Sequence, residues 1–129
     1  MKILIIGAGA VGFSIAKQLS AEGHDISVVD ANPKLTRKIT EKLDVSITTG
    51  NATSPSVLEA AGVEEADMVL AVTTSDEVNI VACILASKYG NDKKIKIAYK
   101  PQYLQNDIDV EVIALLEKAN GGPIEGSQE

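Results

Sequence analysis

Lys2-Ile-Leu-Ile-Ile6, Gly7-Ala-Gly9-Ala-Val-Gly12 and Ile26-Ser-Val-Val29-Asp30 decide the fold of this chain. The first stretch is an apolar run of strand type. The second is a glycine loop that opens a helix. The third is a β-branched run that ends on a carboxylate. Strand, glycine loop, helix, strand and acid in this order make a dinucleotide-binding βαβ unit. A G-x-G-x-x-G alone also marks ordinary turns, so the surrounding unit carries the argument.

Each residue of the loop has a physical role. Gly7 lets the chain turn sharply off the strand, Gly9 leaves room for a pyrophosphate against the backbone, and Gly12 lets the helix pack closely. Ala10 and Val11 lie between them, at the head of a helix whose free N–H groups and partial positive charge face a bound phosphate. Asp30 follows Gly12 by eighteen positions. A carboxylate there accepts hydrogen bonds from ribose hydroxyls and repels a 2′-phosphate, which favours NAD(H) or another adenine nucleotide over NADP(H). Lys34 and Arg37 read as a solvated helix face.

The rest of the chain alternates in the same way. Expected strands cover about 2–6, 25–29, 45–48, 66–72 and 94–99. Helices fall between them at about 10–22, 33–43, 54–62 and 75–89, with Asn32, Ser54 and Ser75 or Asp76 as caps and Pro33 and Pro55 in first turns. Right-handed crossovers predict a Rossmann-like, doubly wound parallel sheet of order 3-2-1-4-5, with its ligand at the carboxyl ends of the strands. From Leu104 to Ala119 apolar residues recur at helical spacing, although 107–112 also reads as an alternating sixth strand. Residues 1–120 form one domain on this reading, and 121–129 a flexible polar tail.

Composition narrows the classes. A length of 129 residues accommodates a nucleotide domain without a substrate domain. A net charge of −6, with 3% aromatic residues, disfavours nucleic-acid partners. The lone Cys83 precludes an internal disulfide and reads as a buried thiol. No apolar run approaches the ~18 residues of a membrane span, and Met1-Lys2 entering a strand directly does not read as a signal peptide.

Further clusters carry a family resemblance: Gly50-Asn-Ala-Thr53, Glu65-Ala-Asp-Met68, Thr73-Thr-Ser-Asp-Glu77 with Asn79, and Pro101-Gln-Tyr-Leu104. Together with the glycine loop and Asp30 they resemble the N-terminal nucleotide-binding domain of Trk/Ktr/RCK regulators of potassium transport. The resemblance runs from Met1 to about Leu104. It implies binding of NAD(H) or ATP/ADP without chemistry and assembly as dimers or rings. It also implies a cytoplasmic place beneath a membrane potassium transporter or channel subunit. Carried over, Gly7, Gly9 and Gly12 cradle phosphate, and Asp30 holds ribose. Asn51, Ala52 and Thr53 edge adenine, and Thr73 and Thr74 border the phosphate or nicotinamide side.

The chain departs from the family pattern in three places. Asn51 replaces the usual acid. Ile97, Tyr99 and Lys100, with Lys96 nearby, stand where arginines are usual. The family's second, smaller domain does not follow, so the chain reads as part of a longer protein or as a stand-alone subunit.

The alternative is an NAD-dependent oxidoreductase fragment without its substrate domain. Hydride transfer needs an acid/base beside the nicotinamide. His24, the one histidine, falls in a turn at the opposite edge. Tyr89 and Lys93 copy a dehydrogenase spacing, but Gly90-Asn91 between them ends a helix. Glu64-Glu65 and Asp76-Glu77 read as solvated or capping pairs, and no metal-ligand spacing occurs.

Overall fold

The computed structural model describes residues 1–89 and the backbone of 96–99. The expected helix or strand after Pro101, the tail and the domain boundary near 120 lie outside the described residues. Among the described residues, the β-branched and aliphatic runs form five parallel strands: β1 (Lys2–Ile6), β2 (Asp25–Asp30), β3 (Ser46–Thr49), β4 (Met68–Ala71) and β5 (Lys96–Tyr99). Helices α1 (Ala10–Ala21), α2 (Pro33–Lys42), α3 (Pro55–Ala60) and α4 (Asp76–Ser87) alternate with them. The strand order is β3-β2-β1-β4-β5, as expected. Ile3 to Ile6 pair with Ile26 to Val29 on one side and Met68 to Ala71 on the other, which makes β1 central.

Both faces of a parallel sheet are buried under helices, so successive residues of β1 enter different cores. Ile3 and Ile5 pack with Ile15, Ala16, Leu19 and Ile39 beneath α1 and α2. Leu4 and Ile6 pack with Leu58, Ala82, Cys83 and Ala86 beneath α3 and α4. The small residues Ala82 and Ala86 let α4 lie close to the sheet. Among the described residues, no helix is long and apolar enough to cross a membrane.

Element ends differ from the sequence reading where side chains and turns intervene. The third helix stops at Ala60, and Gly62 leads into a 3₁₀ turn at Val63–Glu65 that periodicity did not reveal. The fourth strand begins at Met68 because Ala66 closes that turn onto the Val63 carbonyl. Helix α4 ends at Ser87, two residues early. Lys88 and Tyr89 bond to carbonyls three residues back, and the Tyr89 hydroxyl donates to Glu59 Oε2 at 3.0 Å.

Candidate functional site

The carboxyl ends of the four strands β1 to β4 open into one cleft of about 520 Å³. Gly9, Ala10 and Val11 line it from the loop after β1. Asp30, Ala31 and Asn32 line it from β2, Asn51 and Ala52 from β3, and Thr73, Thr74 and Ser75 from β4. Leu35 and Val78 supply apolar side walls. The volume falls in the range of small-molecule and cofactor sites.

The glycines divide the work. Gly7 has φ +121°, and a Cβ there would stand 2.9 Å from the Thr73 nitrogen and Val72 carbon. At Gly12 a Cβ would run into the Gly7 carbonyl, so α1 begins directly on the loop. Neither residue lines the cleft; both hold the loop from behind. Gly9 does line it, and a Cβ there meets nothing within 4 Å. Loop shape therefore requires Gly7 and Gly12, whereas Gly9 leaves open space.

Helix ends give the cleft its polarity. The first N–H groups of a helix have no partner within it. In α1 the N-cap is Gly9, which offers no side chain, and the first turn carries no acid. In α2 the Asn32 side chain accepts the Lys34 N–H at 2.9 Å. In α4 the Ser75 hydroxyl accepts the Val78 N–H at 3.2 Å, and Asp76 and Glu77 occupy the first turn. The α1 terminus thus presents donors and partial positive charge to the cleft, while α2 and α4 are capped by their own side chains.

Asp30 faces that terminus. Its Oδ2 accepts the Ala8 N–H and its Oδ1 accepts the Asn32 N–H, both at 2.8 Å. An ionised carboxylate has about four acceptor positions, so each oxygen keeps capacity for a further donor. The sequence marks Asp30 as an acceptor; the structure adds that it ties the glycine loop to β2.

The β3 and β4 loops are built from local hydrogen bonds. Asn51 Oδ1 accepts the Thr53 N–H at 2.9 Å and the Thr53 hydroxyl at 2.8 Å. Thr53 therefore braces Asn51 and does not line the cleft, whereas Ala52 is buried against its floor. Asn79 is fully buried and binds Thr73 through both ends of its amide. The sequence motif contained Asn79 without revealing this role. The available signal was an amide inside the apolar run Val78-Asn-Ile-Val81.

Other candidates lie elsewhere. His24 sits beside Met1 at the amino ends of the strands. Burial pushes the Cys83 thiol up to about 11, which suits an inert core residue. Lys34 and Arg37 are exposed, as expected. Lys93, Lys100 and Pro101–Leu104 lie outside the described residues. No group of His, Cys, Asp and Glu among the described residues is arranged to hold a metal.

The TrkA-N domain family matches residues 3–118. The chain belongs to that family. Trk system potassium uptake protein TrkA of Azorhizobium caulinodans is 52% identical over 106 residues, covering 81% of this chain and 23% of that protein. The chain thus spans about a quarter of that relative's length. Among solved structures, the Shewanella denitrificans Kef CTD in AMP-bound form is 25% identical with a TM-score of 0.63, covering 77% of this TrkA-N chain and 58% of that one. The GsuK channel bound to NAD is 21% identical with a TM-score of 0.65, covering 85% and 20% respectively; at that identity it supports the fold alone.

Proposed function

We propose that this TrkA-N domain is a regulatory module that binds NAD(H), or alternatively ATP/ADP, in the cleft and performs no chemistry on it. The carrying observation is the uncapped α1 terminus set against Asp30, one supplying donors and the other acceptors. The amides of Gly9, Ala10 and Val11 take the pyrophosphate, with Gly7 and Gly12 shaping the loop behind them. Asp30 accepts the ribose hydroxyls. Adenine lies against Asn51 and Ala52, with Thr53 bracing the edge, and the second half of a dinucleotide extends toward Thr73 and Thr74.

The AMP bound to the Kef structure, which is 25% identical, supports this class of ligand. Among the described lining residues Asp30 is the one ionisable side chain, and two amides already hold it. That favours binding over hydride transfer.

The relatives are Trk system potassium uptake proteins, and from them the proposal extends to a membrane potassium transporter or channel subunit, met at the inner face of the membrane. Ligand identity shifts the packing of a homodimer or larger ring, and that shift gates the partner. Such coupling requires different affinities for two assembly states. Calorimetry with NADH, followed by light scattering in its presence and absence, tests binding and assembly together. A carbonyl-substrate panel with no NADH oxidation supports the non-enzymatic reading, and substrate-dependent oxidation reverses it.

A further inference from the structure

Along a strand the N–H groups of successive residues point to opposite edges, and this alternation continues past the end of β4. Val72 still donates to the Ile6 carbonyl at 2.8 Å. Thr73, the next residue, turns its N–H to the opposite edge of the strand, away from β1. Asn79 meets it there from within α4. Its Oδ1 accepts the Thr73 N–H at 3.0 Å and the Thr73 hydroxyl at 2.7 Å, and its Nδ2 donates to the Thr73 carbonyl at 3.3 Å. The side chain imitates a paired peptide, and it is 0% exposed. Ser75 closes the loop by donating its N–H to the Thr73 hydroxyl at 3.1 Å. Thr74 is left exposed on the cleft wall.

We propose that Asn79 is a positioning residue that sets the Thr73–Ser75 wall for the second half of a dinucleotide. This rests on the nucleotide-binding reading of the cleft. Strands lie about 4.8 Å apart, so the lining from β3 to β4 spans about 14 Å. AMP, with its ribose at Asp30 after β2 and its phosphate at α1 after β1, occupies the half away from β4. Only a ligand that continues past the α1 terminus reaches Thr73 and Thr74. Asn79 therefore acts on NADH and not on AMP. A residue that merely supported the fold would affect both.

The experiment measures NADH and AMP affinities calorimetrically for the 129-residue chain and its variants. Asn79→Ala removes all three amide hydrogen bonds to Thr73. Thr73→Val keeps the volume and removes the hydroxyl, and Thr73→Ser restores the hydroxyl. NADH affinity should fall about tenfold in the first two, the effect of losing one buried hydrogen bond. AMP affinity should stay within about twofold, and Thr73→Ser should match wild type. If Asn79→Ala does not fold, the Thr73 pair decides. Equal losses for NADH and AMP, or no loss for either, overturn the proposal. Wild-type protein that binds neither ligand overturns the nucleotide reading itself and this proposal with it.

Discussion

Asp30 Oδ2 and the Ala8 N–H meet at 2.8 Å across twenty-two residues of chain, joining the tip of β2 to the glycine loop. The same carboxylate that offers acceptors to a ribose therefore holds the loop that offers donors to a phosphate. Its second oxygen holds the Asn32 N–H at the entry to α2. Two halves of one cleft share a single anchor.

That sharing gives Asp30→Ala two effects. NADH binding should weaken by about 1.5–3 kcal/mol through loss of charge-assisted hydrogen bonds. The fold should also lose about 1–3 kcal/mol, because the Ala8 and Asn32 N–H groups lose their acceptor. Calorimetry reads the first and urea melting the second. Unchanged melting would contradict the tether, and unchanged affinity would remove Asp30 from the site.

Gly9 and Gly12 should separate folding from binding. A Cβ at Gly9 meets open space at an ordinary φ of −74°, so Gly9→Val should melt like wild type and bind no nucleotide. Gly12→Val drives its side chain into the Gly7 carbonyl, so it should lose stability and binding together. Circular dichroism and NADH titration on both variants check this. Tight binding by a folded Gly9→Val protein would move the phosphate site elsewhere.

The buried Cys83 thiol makes a pH prediction. Burial raises its pKa from 9.0 to about 11, so the folded state keeps the proton that the unfolded chain releases first. Stability from this group is complete below pH 9 and declines as pH rises toward 11. Cys83→Ala should flatten that decline in denaturant melts taken across the same range. A variant whose melts decline as steeply as wild type would show that Cys83 is not its source.

Ser75→Ala removes the cap of α4 and should cost about 1 kcal/mol of stability. AMP affinity should not change, since that cap faces the β4 side of the cleft. Thermal melting with parallel AMP titration measures both.

Much of this was legible in the sequence. The strand runs, the glycine loop and Asp30 declare themselves through local periodicity and spacing, and the strand order follows from right-handed crossovers. The 3₁₀ turn after Gly62 was not legible, because three residues carry no period. The duties of Gly7 and Gly12 are contacts with Val72–Thr73 and with each other, which spacing alone does not separate from contact with ligand. Thr53 shares a motif with its neighbours, yet its bonds run back to Asn51. Asn79 was hidden for the same reason: its partner is a backbone six residues away, visible only once β4 and α4 are in place.

Competition between nucleotides tests the central claim most directly. NADH and ATP share an ADP portion, so both must use the α1 terminus and Asp30. Titrating NADH into the chain with and without saturating ATP should give one site per chain when NADH is alone, displaced when ATP is present. Simultaneous, independent binding of the two, or no binding of either, would contradict the account.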